Sequence, residues 1–558
     1  MAERNTKKGP GGSGGGYEVR NGNISQRVRP TVAEHREYVD NEWMSRRAWL
    51  VAALAVFCLM VLLALLAHFG KPLVRERLIA FLHRQFASDV ALSSLDVSVF
   101  PSLRVTARGI VLRHRGRTDI APLIQIEEIT AHTSLLQLWK DPIHLSSVTL
   151  RGLKVHVPPR HKGAEEKVPS EPSQPPDRLP LEIDRIQTDD AELEILRAEP
   201  EKHPQIFLIR HLEMLAVTTG KASQFRATLT NPVPKGEIDA QGQFGPWQAE
   251  EPGATALSAA YTFANADLST IHGLSGKLSS KGQFYGVLDY LEVRGETDTP
   301  DFRVGVSRHS VPLHTDFQAI VDGTNGNTLL KTVAARFLHT ALIAHGQVVK
   351  SKEMKRRLIQ LDVTSEAARV EDLLRVAVPS EQPLMTGQAN FVARLELPPD
   401  EEGDIITRLK LTGKFGVRSG KFSNPGVQAK VDSLSRKGQG QPNNTELASA
   451  VSGLRGNFVL NQGVMTFTDL QFDVPGAAVQ LAGTYDLTGG QLDFHGIVRL
   501  QAKLSQTTTG IKSFFLKAAD PFFKGKNAGA VLPIKITGTR ENPSFGLELG
   551  RHGQTTPK

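Results

Sequence analysis

The chain has 558 residues, of which 40% are hydrophobic, a formal net charge of +8 and a single cysteine, Cys58. That length holds two or three average domains or one elongated all-β body, with enough apolar residues for a sizeable core. One cysteine excludes an intrachain disulfide and a cysteine-based metal site. The positive charge comes without an aromatic-interleaved basic stripe and without zinc-finger or helix-turn-helix spacing, so nucleic acid is not an expected partner.

Residues 1–47 open with MAERNTKKGPGGSGGGYEVR, glycine-rich and polar, and are expected to form a disordered cytoplasmic tail. GPGGSG matches G-x-G-x-x-G letter for letter, but no strand precedes it and no helix follows, so it indicates no dinucleotide site. Residues 48–67, AWLVAALAVFCLMVLLALLA, carry no charge. As a helix rising ~1.5 Å per residue, such a run crosses the ~30 Å hydrocarbon layer of a bilayer. Trp49, Leu50, Phe57 and Leu66 belong to this expected transmembrane helix, with Trp49 at the interface. A cleaved signal peptide needs a short basic region and a small-residue cleavage site, whereas 47 residues precede this run. Basic residues balance across it: Arg29, Arg36, Arg46 and Arg47 before, Lys71, Arg75, Arg77 and Arg84 after. The Arg46-Arg47 pair abutting the span, and the tendency of long domains to translocate regardless of charge, favour a cytoplasmic N-terminus.

Next, PLVRERLIAFLHRQFA places Val74, Leu78, Phe81, Leu82 and Phe86 at helical spacing with Arg75, Glu76, His83 and Arg84 opposite, an amphipathic helix. From about Leu92 the pattern becomes alternating, as in LRVTA (Leu103, Val105, Ala107) and VTLRGLKVHV (Val148, Leu150, then Leu153, Val155, Val157). The slip of one residue at Gly152 reads as a bulge. The proline-rich residues 158–180 read as a loop or linker. They separate a first β-part, which with the amphipathic helix covers 71–157, from a main β-body at 181–550, and 551–558 is a second disordered tail.

In the main body, Gly-x-aromatic recurs at Gly242/Phe244, Gly282/Phe284, Gly413/Phe415, Gly456/Phe458 and Gly483/Tyr485. The irregular spacing excludes a strict repeat and marks places where a strand kinks or turns. DGTNGNT, residues 322–328, holds an Asn-Gly suited to a hairpin turn. Helical interruptions are expected at 366–378, 427–437 and 508–523. In QLDFHGIVRL, Leu492, Phe494, Gly496, Val498 and Leu500 share one face, and Asp493, His495 and Arg499 the other. The fold class is therefore mainly β: an elongated, curved, groove-like antiparallel sheet with a few capping helices, preceded by one transmembrane helix. About 400 residues in some 20 to 25 strands at ~4.8 Å spacing give a sheet on the order of 100 Å long. Phe458, Leu460, Leu492, Phe494, Val498 and Leu500 are the candidate lining of a lipid groove. Alternation is identical for an open groove and a closed core, so that choice stays open.

The chain offers no catalytic constellation. Asp189-Asp190, Glu250-Glu251 and Asp400-Glu401-Glu402 fall in polar stretches suited to solvated turns, not to glycosidase carboxylates. His339 and His345 are six apart, the wrong spacing for chelation, and G-x-S-x-G and Walker sequences are lacking. Neither an enzyme, a cofactor nor a metal is expected. Arg108, Arg113, Arg115 and Arg117 either meet anionic head groups or form a solvated hairpin. In TTGIKSFFLKAADPFF, Ile511, Phe514, Phe515, Ala518 and Phe522 form an apolar stripe beside Lys512, Lys517 and Lys524. That stripe is a cap over the last strand edge or a gate.

The membrane-spanning run followed by SVFPSLRVTARGIVLRHRG, the segments LTNPVPKGEIDAQGQFGPW and ADLSTIHGLSGKLSSKGQFYGVLDYLEVRGETDTPDF, and the ending FFLKAADPFFKGKNAGAVLPIKITGTRENPSFGL together resemble the AsmA-like family of bacterial envelope proteins. The likeness runs from about Arg47 to Leu549. It implies a single-pass inner-membrane protein whose C-terminal body lies in the periplasm and forms a repeating β-groove, with no catalytic motif to carry over. The long members of the family are associated with phospholipid transport to the outer membrane, and this chain is much shorter than they are. The expected function is non-enzymatic: binding phospholipid, or helping to transport it, along an apolar β-groove towards the outer membrane, in support of outer-membrane biogenesis. Membrane phospholipids and envelope proteins are the expected partners. The alternative is a periplasmic scaffold or assembly factor for outer-membrane proteins.

Overall fold

The computed structural model describes residue 57 and, a few single positions excepted, residues 75–98, 103–134, 143–157, 181–196, 205–350, 356–399, 403–444, 450–502 and 531–548. The chain divides into two units, Met1–His68 and Phe69–Lys558. The expected transmembrane run lies outside the described residues apart from Phe57, as do Trp49, Leu50 and Leu66, the two tails, the proline-rich stretch, and Ile511, Phe514, Phe515 and Phe522. Among the described residues no helix is long and apolar enough to cross a membrane.

The second unit is mainly β, a long sheet of 26 strands with few helices. β1 (Ser88–Ser98), β2 (Leu103–His114) and β3 (Ile124–Thr133) form an antiparallel meander. The next position is shared end to end by β4 (Ile143–Leu145), β5 (Ser147–Arg151) and β6 (Lys154–Val157). The break between β5 and β6 falls where Gly152 turns to φ +62°, the site of the predicted slip. These three pieces run parallel to β7 (Leu181–Ile195). Parallel neighbours cannot be joined by a tight turn and need a long crossover. Residues 158–180 therefore connect two hydrogen-bonded strands of one sheet, and no boundary between separate β-bodies falls there.

All other pairings are antiparallel and, apart from two around Leu274–Ser275, follow chain order. β8 (Gln205–Thr218), β9 (Ser223–Pro232), β10 (Lys235–Phe244) and β11 (Leu257–Asp267) lead to β12 (Leu274–Ser275) and β13 (Lys277–Val287). β14 (Tyr290–Val304), β15 (Val311–Val321), β16 (Thr328–Phe337), β17 (Thr340–Val349), β18 (Leu358–Arg369), β19 (Met385–Leu397) and β20 (Lys410–Phe422) follow. The sheet ends with β21 (Ser452–Asn461), β22 (Val464–Val474), β23 (Ala477–Asp486), β24 (Gln491–Leu500), β25 (Val531–Thr539) and β26 (Pro543–Leu547). Among the described residues β1 pairs only with β2 and β26 only with β25, so the sheet is open at both edges.

Among the described residues four α-helices accompany it. α1 (78–86) lays Leu78, Leu82 and Phe86 on the N-terminal core of Leu92, Ile110, Leu112 and Ile126, and Phe86 stacks edge-on against Trp247 at 5.5 Å. α2 (Val370–Ala377) is shorter than the expected 366–378. Residues 366–369 instead complete β18, because Ala368 pairs with Ala389 across the sheet and is fully buried. Strand pairing there overrides the helix propensity of Glu-Ala-Ala. α3 (Ile405–Arg408) is a single turn. α4 (Pro425–Gly438) starts two residues earlier than expected. Asn424 caps it by accepting from the Gly426 and Val427 amides, and Pro425 takes the first helical position, where no intrahelical donor is needed.

Two of the recurrent glycines stand opposite aromatic rings of neighbouring strands. Gly413 faces Phe458 across β20–β21, and Gly483 faces Phe494 across β23–β24. A Cβ built on Gly413 would lie 2.8 Å from Phe458 Cζ, and one on Gly483 2.9 Å from Phe494 Cδ1. Each glycine leaves room for an aromatic ring on the neighbouring strand to lie over it. At these two positions the close contact is cross-strand, with the neighbouring backbone and with the ring it carries.

Candidate functional site

Alternation and register sort the side chains of β11 to β17 onto two unlike faces. One is charged and paired across strands: Lys281 with Glu296 at 2.8 Å, His314 with Asp298 at 2.7 Å and Arg394 of β19 with Asp362 of β18 at 2.7 Å. The hydrogen bond to Asp298 raises the His314 pKa above the ordinary imidazole value. On this same face a cleft of about 930 Å³ opens over the small residues Ala334, Ala341 and Gly416, rimmed by Arg336, Glu366, Lys414 and Arg455.

The other face is apolar. Tyr261 and Phe263 of β11, Phe284 of β13, Val293 of β14, Phe317 of β15 and Val333 of β16 lie on it, each half-buried. Tyr261 and Phe284 are in ring contact at 6.2 Å, and burial raises the Tyr261 pKa. α2 crosses one end of these strands. Its Asp372 accepts from the His339 amide at 2.8 Å and from Thr340 Oγ1 at 2.9 Å, while Ser307 Oγ donates to the Arg375 carbonyl at 2.6 Å. Away from that end no helix covers the face among the described residues. The buried apolar clusters lie elsewhere: beneath α1, beside α2 on β18 to β20, and beneath α4 on β22 to β24. The result is a half-buried apolar trough between covered cores.

The six residues expected to line a groove fall mainly into a core. Phe494, Val498 and Leu500, 8%, 5% and 7% exposed, cluster with Val431 of α4, and Leu460 is 2% exposed. Leu492 packs at the margin of that cluster, and Phe458, half-buried, contacts Phe415 at 6.0 Å. At this end the face is closed, because α4 lies over it. Of the uncovered residues, Phe284 alone was singled out in the sequence, as the aromatic member of the Gly282/Phe284 pair.

Of the charged candidates, Asp189 and Arg108 are paired between strands, while Arg115, Arg117, Asp400, Glu401 and Glu402 lie outside the described residues. Asp189 and Asp190 lie within β7 and not in a turn. Asp190 takes a positive φ of 53°, and Asp189 meets His211 of β8 at 2.7 Å. Arg108 is held between Asp96 at 3.2 Å and Glu128 at 2.8 Å. His339 donates through its backbone amide to Asp372. Among the described residues no group of three or more His, Cys, Asp or Glu could hold a metal ion.

His495, on the charged face of β24, lies 3.1 Å from Glu548 Oε1 and 3.0 Å from Asp493 Oδ1. The bond to Glu548, then that to Asp493, raises its pKa above the ordinary 6.5. A group whose pKa is higher folded than unfolded contributes stability fully below the unfolded value and loses it as pH rises through the folded value. His495→Gln should therefore lower the melting temperature at pH 6, with the gap to wild type shrinking toward zero by pH 8.5. The effect is small because the ring is 46% exposed and the pair is screened by solvent. A gap that persists undiminished at high pH would show that charge is not its source.

Comparison with known proteins finds no match among protein families, curated proteins or solved structures.

Proposed function

We propose that the unit Phe69–Lys558 is a non-enzymatic lipid-handling body of the AsmA-like kind. It is held at the inner membrane by residues 48–67, faces the periplasm, and shelters phospholipid acyl chains in a curved, groove-like sheet on the way to the outer membrane. The observation that carries this reading is the half-buried aromatic face of β11 to β17, without a covering helix, between cores that are covered. Contiguous apolar patches of this kind are rare on soluble proteins and mark binding surfaces. Acyl chains fit such a trough while head groups stay in water, and the mechanism is passive solvation with no bond made or broken.

The test is mass spectrometry of lipids that co-purify with Phe69–Lys558, prepared without detergent. Glycerophospholipid retained in near-stoichiometric amount is the expected result, and its loss in Phe284→Asp should accompany a native circular dichroism spectrum. A lipid-free protein would remove the reading. The scaffold alternative rests on the two open edges, β1 and β26, where strand addition is available. Crosslinks from the edges to outer-membrane proteins in a lipid-free preparation would favour it.

A further inference from the structure

The apolar trough is crossed by one polar row. Ser280, Thr297 and Thr315 are directly opposite one another on β13, β14 and β15, and all three side chains point into the trough. On either side the same face returns to Phe317 and Leu313, and the nearby cations Lys281, Arg294 and Arg336 alternate onto the other face. The row lies near the middle strands of the sheet.

The hydroxyl protons of this row can be counted. Ser280 Oγ donates to the Glu296 carbonyl at 2.9 Å, so the contact between Tyr261 OH and Ser280 Oγ at 3.2 Å takes the tyrosine proton. Thr297 Oγ1 and Thr315 Oγ1 are 2.7 Å apart and share one proton between them, which leaves the other threonine's proton without an acceptor among the described residues. Two residues along, Thr299 is 1% exposed and its Oγ1 has no hydrogen-bond partner among the described residues. The floor of the trough thus holds one spare neutral donor, at Thr297 and Thr315, with Thr299 enclosed beside it and no cation on this face here.

We propose that this hydroxyl row is a registering site for the ester carbonyl of an acyl lipid. The inference rests on the lipid-handling reading above and narrows it to an occupant that is an ester, not a bare hydrocarbon or a free carboxylate. A neutral donor in an apolar surround recognises a neutral acceptor. A carboxylate or phosphate would need a cationic partner, which this face lacks here. With the ester at Thr297 and Thr315, an acyl chain runs over Phe317 and Phe284 and away from the row.

The test compares two pyrene-labelled probes of equal length, a methyl ester and the corresponding hydrocarbon, binding to the full chain. One neutral hydrogen bond of typical strength predicts a preference for the ester of about five-fold. In T297V/T315V the preference should fall to about one, with hydrocarbon affinity unchanged, and in T297S/T315S it should persist. A ¹³C-labelled ester carbonyl bound to wild type should absorb at lower wavenumber than in alkane, a readout that needs no variant. Equal affinity of wild type for both probes, a preference that survives T297V/T315V, or an unshifted carbonyl band overturns the row as a site while leaving the trough intact. Uptake of neither probe by wild type overturns the trough and the row together.

Discussion

Phe494→Asp should unfold the C-terminal part of the sheet, whereas Phe284→Asp should leave the fold intact. Phe494 is 8% exposed, lies against Phe467 at 5.8 Å and belongs to the cluster that α4 closes with Val431. Removing a buried phenyl ring costs about 3 to 5 kcal/mol. A carboxylate put in its place has no cationic partner in that cluster, and its burial adds a further penalty. The total is comparable to the whole stability of an ordinary domain, which is about 5 to 15 kcal/mol. Phe284 lies on the uncovered stretch, where a carboxylate keeps access to water. Far-ultraviolet circular dichroism and urea titration of the two variants separate the cases. A Phe494→Asp protein that melts like wild type would show that the face beneath α4 opens to solvent.

Gly483→Val carries the next largest effect, a loss of at least about 3 kcal/mol, at the upper end of overpacking costs in a filled core. The backbone at Gly483 needs no special dihedral, so the cost is one of space. A Cβ there would sit 2.9 Å from Phe494 Cδ1 and collide with the backbone of Asp493 and Phe494. The Phe494 ring is also confined by Phe467, which meets it at 5.8 Å from the strand on the other side of Gly483. Gly453→Ala on β21 is the matched control. The nearest atom to its Cβ is Asp473 Cβ at 3.8 Å, an ordinary contact, so stability should stay within about 1 kcal/mol of wild type. Equal denaturation midpoints for Gly483→Val and wild type would mean that neighbouring strands separate there at little cost.

A large part of the architecture could be read from the chain. The two-residue period of QLDFHGIVRL assigns every side chain of β24 to its face, because successive residues of a strand point oppositely whatever lies around them. The Asn-Gly of DGTNGNT forms the turn between β15 and β16, with Gly326 at φ +74°, because that backbone geometry suits few other residues. Asn424 before Pro425 fixes the start of α4 by local hydrogen bonds, a signal that the expected start at 427 passed over.

Other features had no local signal. Residues 366–369 favour a helix by themselves and become strand because β19 pairs with them. The glycine-aromatic pattern looked like a feature of one strand and proved to be a contact between two, since the ring that needs the space is brought there by register. The face of Phe494 and Val498 and the face of Phe284 and Phe317 have the same alternation, yet one is core and the other is open. The sequence by itself determined a mainly β chain with one oily and one charged face, because strand period and turn chemistry act within a few residues. Which part of the oily face is covered was decided only by the tertiary structure, because α4 packs on strands that follow it in the chain, and no short-range pattern encodes so distant a contact.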